Sequence, residues 1–270
     1  MTVFVKIAGT QISTMQIIFI RGMLTLVFTY AILSRKKISV WGTNKGLLVL
    51  RGIAGTSALF FFYESIQRFA LSEAVAIQYL HPIFAVILAS ALISEKAGKI
   101  IYLSVIFGLM GTFVILEFPL IHNFNAIKNI NLFIALAGSA LTALAYVLVR
   151  WLSREGESPF VIMFYFPLFT VPVSFMFTIN NWITPDLRLW IHLILIGICA
   201  QIAQYFLTHG YKLLPAGKAS LTGYVQVPLS VLAGYLFFND KITYSYFIGS
   251  CMIFTGVILM VKATNNPSYD

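Results

Sequence analysis

Six stretches of this chain run for twenty or more residues without an Asp, Glu, Lys or Arg: 74–94, 129–149, 158–185, 189–211, 219–239 and 242–261. A helix rises about 1.5 Å per residue, so about 20 residues cross the roughly 30 Å hydrocarbon core of a bilayer. A seventh stretch, 100–116, is closed by Lys99 and Glu117, whose stems can reach the interface by snorkelling. Two more, 12–33 around Arg21 and 47–66 around Arg51 and Glu64, count as spans because short hydrophilic breaks, not loops, border them. Nine spans leave roughly 80 residues for every loop and both ends, which excludes a soluble domain. Composition agrees: 10% of the 270 residues are charged, against about a quarter in a soluble domain. With 18 Gly, 9 Pro and 2 Cys, collagen-like, disordered and disulfide-stapled chains are excluded as well.

Orientation follows from loop cations. One side collects Arg35, Lys36, Lys37, Lys45, Lys96, Lys99, Arg150, Arg154, Lys212, Lys218 and Lys262; the other has only Arg68, Lys128, Arg188 and Lys241. The richer side is expected to be cytoplasmic and to hold the C-terminus, in a plasma (inner) membrane. The net charge of +9 is thus spread over short loops beside anionic lipid and calls for no nucleic acid. Met1–Gly9 is apolar apart from Lys6 and too short to cross, and it lacks the layout of a cleavable signal. It reads as the end of a helix whose beginning is missing, through a late start codon or real loss.

Sliding the chain on itself by 145 residues aligns 68–116 with 213–261, pairing Ala74 with Ala219, Tyr79 with Tyr224, Val86 with Val231 and Gly111 with Gly256. The order of features repeats too: a small-residue entry, a span with a Tyr and a Pro in its first half (YLHP, YVQVP), an acid–Lys pair, and a Gly-bearing span. By span parity Glu95-Lys96 and Asp240-Lys241 fall on opposite faces, so the halves run oppositely through the membrane. Inverted repeats of this kind characterise secondary transporters, whose substrate site lies near the midplane. The expected fold is therefore an all-α integral membrane bundle of nine full transmembrane helices plus a truncated first helix, an inverted 5+5 repeat with halves 1–118 and 129–262.

The stretch RGIAGTSALFFFYESIQRFALSEAVAIQYLHPIFAVILASALISEK at 51–96 resembles the first half of EamA-type proteins of the drug/metabolite transporter superfamily. YKLLPAGKASLTGYVQVPLSVLAGYLFFNDK at 211–241 resembles the second-half counterpart, and FIRGMLTLVF at 19–28 the Arg-bearing second helix. Two departures are visible: the first helix is almost absent, and Pro228 stands one residue nearer its acid than Pro82 does to Glu95. The resemblance implies ten helices, cytoplasmic ends and alternating-access movement of a small polar or cationic metabolite.

Candidate substrate-binding residues follow from polar groups placed in lipid. Arg21 either lines a cavity or snorkels to the outer interface. Arg51, near the cytoplasmic end of its span, reads as an interfacial anchor. Pro82 has no amide proton for the Gln78 carbonyl, and such a break is tolerated only where protein or a wet cavity satisfies it. Gln78, Tyr79 and His81 in the first half, with Tyr224, Gln226 and Pro228 in the second, form the expected site; the alternative is that they merely bond neighbouring helices. Gln201, Gln204, Tyr205 and Thr208 make a polar stripe expected to face the interior, and Tyr63 with Glu64 closes the third helix. The paired glycines, Gly52 and Gly55, Gly108 and Gly111, Gly249 and Gly256, are assigned to helix packing.

No HExxH, phosphate loop, nucleophile elbow or paired Cys occurs, so no enzyme activity, metal or cofactor is expected. A membrane-embedded enzyme acting on lipid or an isoprenoid, and a non-transporting scaffold, remain the alternatives. Expected partners are a small-molecule substrate and membrane lipid, with proton coupling through His81 and a homodimer as further candidates.

Overall fold

Inside lipid each backbone N–H and C=O must be satisfied within the protein, and a helix does this within one segment. The structure, a computed structural model, describes residues 2–68, 71–117, 129–238 and 242–265, and all regular structure among them is helical. The helices are α1 (Thr2–Ala8), α2 (Thr14–Arg35), α3 (Lys45–Arg68), α4 (Leu71–Gln78), α5 (His81–Ile93), α6 (Lys99–Ile115), α7 (Asn129–Arg154), α8 (Pro159–Thr178), α9 (Leu187–Leu213), α10 (Ala216–Leu221), α11 (Gln226–Phe238) and α12 (Tyr244–Asn265). Eight segments are long and apolar enough to cross a membrane, with Ala74–Ile93 and Ala216–Phe237 each counted as one span. The ninth, α6, has 17 residues and is the one expected to need snorkelling at its ends. Large apolar side chains point outward, among them Phe206, Met176 and Leu236, as lipid-facing surfaces require. Lys128, Asp240 and Lys241 lie outside the described residues.

Helical geometry changes ahead of two of the prolines. The first separates α4 from α5 at Tyr79–Leu80, with Pro82 in the first turn of α5, where its missing N–H costs nothing. In the second half a 3-10 turn, Thr222–Val225, joins α10 to α11 just ahead of Pro228.

The chain divides into two compact units, each drawn from both sequence halves: residues 1–56 with 148–213, and residues 57–147 with 214–270. In the first unit α2 packs on α8 and α9. Its start is capped by the Ser13 hydroxyl, which accepts the Gln16 N–H at 3.3 Å. The buried Gln16 amide then clips the α8–α9 connection from both sides: Nε2 donates to the Ile183 carbonyl at 2.6 Å, and Ile183 N–H donates to Oε1 at 3.2 Å. The two-turn α1 folds onto α9 through Ala8, Ile12, Ile17, Leu189, Leu193 and Ile196.

At one end of this unit a buried carboxylate ties two loops. Glu157 Oε2 accepts from the Thr43 N–H (2.7 Å) and hydroxyl (2.8 Å) and from the Asn44 N–H, while Oε1 accepts from the Ser158 N–H. Burial pushes the Glu157 carboxyl up, but the donors from Thr43, Ser158 and Asn44 outweigh it and hold it below the usual carboxylate range. A depressed carboxyl contributes stability that is complete above its unfolded-state value and is lost as pH falls through its folded one. Glu157→Gln is therefore expected to destabilise the detergent-solubilised protein at neutral pH by roughly 1–3 kcal/mol. Melting followed by Trp fluorescence should also show a weaker acid dependence in the variant than in the wild type.

In the second unit α6 packs on α12 along glycines. A Cβ on Gly111 would overlap the Gly249 carbonyl oxygen, one on Gly249 would overlap that of Gly111, and one on Gly256 would sit 2.8 Å from the Ser104 carbonyl oxygen. Close backbone approach of this type replaces the hydrophobic drive that lipid removes. The glycines expected to serve packing do so here.

Candidate functional site

Polar side chains gather within the spans at two places, one in each unit. The first is a cleft between α2, α8 and α9 that encloses about 650 Å³ of empty space, part of it open to the surroundings. Arg21 and Thr25 come from α2, Phe166, Pro167 and Thr170 from α8, and Gln201 and Gln204 from α9. Arg21, Gly22 and Thr25 share one face by helical spacing, and Gly22 lets α8 approach, since a Cβ there would stand 2.9 Å from Val171 Cγ2. Gln201 is held by Thr29: its Nε2 donates to the Thr29 hydroxyl at 3.0 Å, which points back to Oε1 at 3.3 Å. Thr170 is fixed by the Thr56 hydroxyl at 2.9 Å. Gln204 lines the same cleft and makes no hydrogen bond to the described residues.

Pro167 adds an acceptor. Lacking an N–H, it cannot return the hydrogen bond that the Met163 carbonyl would receive four residues on, and Met163 and Pro167 both border the cleft. The walls thus offer one guanidinium, two primary amides, hydroxyls, an aromatic ring and a freed carbonyl, with no carboxylate among the lining residues. Such a set suits a small solute carrying a carboxylate: guanidinium binds it in a two-pronged fashion, and amides serve the remaining polar groups.

Arg51 is not an interfacial anchor. It is 3% exposed, its guanidinium lies 5.2 Å from the centre of the Phe166 ring, and Gly55 makes room for it. An aromatic face on the neighbouring α8 competes with the interface for the cation, and burial against it is worth more once water is gone. Phe166 therefore has Arg51 against it and also forms part of the cleft that Arg21 lines.

The second gathering surrounds the α4–α5 break. The Gln78 carbonyl freed by Pro82 faces His81 Nδ1 at 3.0 Å and accepts from the Ser139 hydroxyl at 3.2 Å. Because a carbonyl only accepts, His81 must carry its proton on Nδ1. The next carbonyl, of Tyr79, accepts from the Tyr224 hydroxyl at 3.1 Å, and the two tyrosine rings stack with centroids 5.9 Å apart. Gln78 Nε2 donates to the Thr142 hydroxyl at 2.8 Å, and Tyr146 sets its ring edge-on to His81 at 5.7 Å. Ser139, Thr142 and Tyr146 form an i, i+3, i+7 stripe on α7. That stripe is legible in the span 129–149, and sequence reasoning passed over it.

The structure brings Arg21, Gln201 and Gln204 together in the first unit, and Gln78, Tyr79, His81 and Tyr224 in the second. Others stand apart. Tyr205 is 39% exposed and stacks on His209 at 4.0 Å, beside Phe160. At about 100° per residue it falls on the edge of the α9 stripe away from Gln204, whereas Thr208 returns to the buried side. Gln226 is exposed at the start of α11, and Pro228 is buried. Tyr63 is half-buried beside Phe62 and lines neither cleft. Glu64 is a rim carboxylate, 3.1 Å from Arg68 with both side chains exposed, and such a pair adds little stability.

Comparison with known proteins adds a relationship that covers both halves. Residues 1–117 and 129–262 match the profile of the EamA-like transporter family. A protein of Helicobacter pylori named as an uncharacterized transporter is 27% identical over 89% of this chain and 82% of its own length. A pseudopaline exporter of Pseudomonas aeruginosa is 22% identical over 97% of this chain and 89% of its own, and a riboflavin transporter of Brucella anthropi 23% identical over 97% and 93%. A solved crystal structure superposes with a TM-score of 0.80 at 17% identity, covering 94% of this chain and 89% of that one, so the fold is shared.

Proposed function

This chain belongs to the EamA-like transporter family, and from that premise we propose that it carries a small carboxylate-bearing metabolite by alternating access, bound in the cleft of Arg21, Gln201 and Gln204. The observation that carries the reading is the composition of that cleft: an arginine inside a membrane span, beside an amide with no hydrogen-bond partner among the described residues and a ring, around open volume. An ionisable group inside a membrane span is a functional-site candidate by default. A solute with positive charge alone would face Arg21 with no carboxylate among the described lining residues, so the polar side of the expected substrate range is the one supported. Two relatives are named for pseudopaline and riboflavin, which supports a small-molecule cargo.

The break lined by Gln78, Tyr79, His81 and Tyr224 has a different role in this reading. Its polar groups are engaged with each other and with freed carbonyls, which lets a span change direction without an unsatisfied backbone group. It is the element expected to flex as access alternates, with the loop-cation bias placing Lys96 and the C-terminus on the cytoplasmic side.

Uptake by proteoliposomes across a panel of carboxylate-bearing, neutral and cationic metabolites, with and without an imposed pH gradient, tests the reading. Gln204→Ala is expected to raise KM for the best carboxylate several-fold with little loss of folded protein, since one side-chain hydrogen bond to solute is removed. A panel in which only cations are moved, or an unchanged KM in Gln204→Ala, would overturn it.

A further inference from the structure

The second unit holds a cleft of its own at the α5–α6 turn, about 540 Å³ of space, part of it open, between that turn and the start of α10. Two ammonium groups border it. Lys96 is exposed on the turn; Lys218 sits in α10, where all six residues are buried, and is 9% exposed. The carboxylate in the wall, Glu95, is oriented by the Ala216 N–H, which donates to Oε2 at 2.9 Å. Among the described lining residues, two cations and one carboxylate make a surplus of positive charge. The 17-residue α6 adds to it: its N-cap, Gly98, lines the cleft, so the positive end of the helix borders the same space. The floor is apolar, made by Val86, Ala89 and Ile101. Lys96 and Lys218 both belong to the face rich in loop cations, where anionic lipid headgroups gather.

We infer that this cleft is a phosphate-binding site, taking the phosphodiester of an anionic phospholipid with the glycerol and first methylenes on the apolar floor. Free phosphate has the same head chemistry but no use for that floor. The site lies outside the transport cleft and does not depend on the identity of the transported solute.

Native mass spectrometry of the full chain in detergent tests it, titrating phosphatidylglycerol and phosphatidylcholine separately, with inorganic phosphate as a competitor. Phosphatidylglycerol is expected to bind roughly tenfold more tightly, and Lys96→Gln and Lys218→Gln are each expected to lower that preference about fivefold. Lys218→Arg should retain it. Lys262→Gln, an exposed cation on the same face but outside the cleft, should leave it unchanged. Displacement of the lipid by millimolar phosphate supports the site with a soluble source; retention of the lipid supports the lipid source. Should Lys218→Gln fail to fold, Lys96→Gln decides. Equal binding of the two lipids without phosphate competition, full preference in Lys96→Gln, or an equal loss in Lys262→Gln, which would mean diffuse surface charge, overturns the inference.

Discussion

Replacing Arg21 with alanine is expected to lower uptake efficiency for the transported carboxylate on the order of 100-fold, while the protein remains folded and monodisperse. Removing one partner of a desolvated charge pair costs far more than removing a neutral hydrogen bond, because the solute's carboxylate then enters the cleft without compensation. Lysine is not an equivalent substitute: it restores the charge but not the planar fork, so Arg21→Lys should recover part of the activity. The loss should appear for carboxylate solutes and be small for any neutral solute the carrier accepts. Uptake in proteoliposomes with matched protein content measures both, and a wild-type rate in Arg21→Ala would remove Arg21 from the site.

Gly111→Ala, like its counterpart Gly249→Ala across the same seam, should be strongly destabilising for a single added methyl. The new Cβ would overlap the Gly249 carbonyl oxygen and lie 3.0 Å from the Ile253 amide nitrogen, and backbone cannot yield by changing rotamer. The α6–α12 seam must open, at roughly 1–3 kcal/mol for overpacking of this kind, and Gly111→Leu should prevent recovery of folded protein. Gly210 provides the contrast: it lies within α9 with nothing near a Cβ, so Gly210→Ala should gain about 1 kcal/mol from helix propensity alone. Thermal unfolding in detergent reads the two alanine variants, and the yield of folded protein reads Gly111→Leu. Equal behaviour of Gly111→Ala and Gly210→Ala would mean the seam is not as close as the structure places it.

Much of this was legible beforehand because lipid leaves a chain few choices. A span must be long and nearly free of charge, so the intervals between charges locate α4 to α12 within a few residues, and the hydrophilic breaks on either side locate α2 and α3. Pro82 and Pro228 announce their breaks since the missing N–H acts through the chain itself. The cleft was legible only in part. Arg21, Gln201 and Gln204 stand out as polar groups in apolar runs, but Phe166 is one ring among 24 phenylalanines, and only packing sets it against Arg51 and in the wall of the cleft that Arg21 lines. Pro167 carries the same signal as Pro82 and was passed over because no polar residue flanks it. Arg51 was misread because snorkelling considers distance to the interface and not an aromatic face close at hand. At the α4–α5 break the polar cluster was legible, but its hydrogen bonds were not: which groups bond one another depends on where α7 places Ser139, Thr142 and Tyr146.

The central claim is that the Arg21 cleft is wet and favours anions, and it can be tested without knowing the solute. Gln204→Cys, on a background with Cys199 and Cys251 replaced by serine, would be reacted with an anionic and a cationic methanethiosulfonate, each rate divided by that with a free thiol. The anionic reagent should react several-fold faster, and adding Arg21→Ala should abolish or invert the preference. A thiol that neither reagent reaches, or equal corrected rates that Arg21→Ala leaves untouched, would contradict the account.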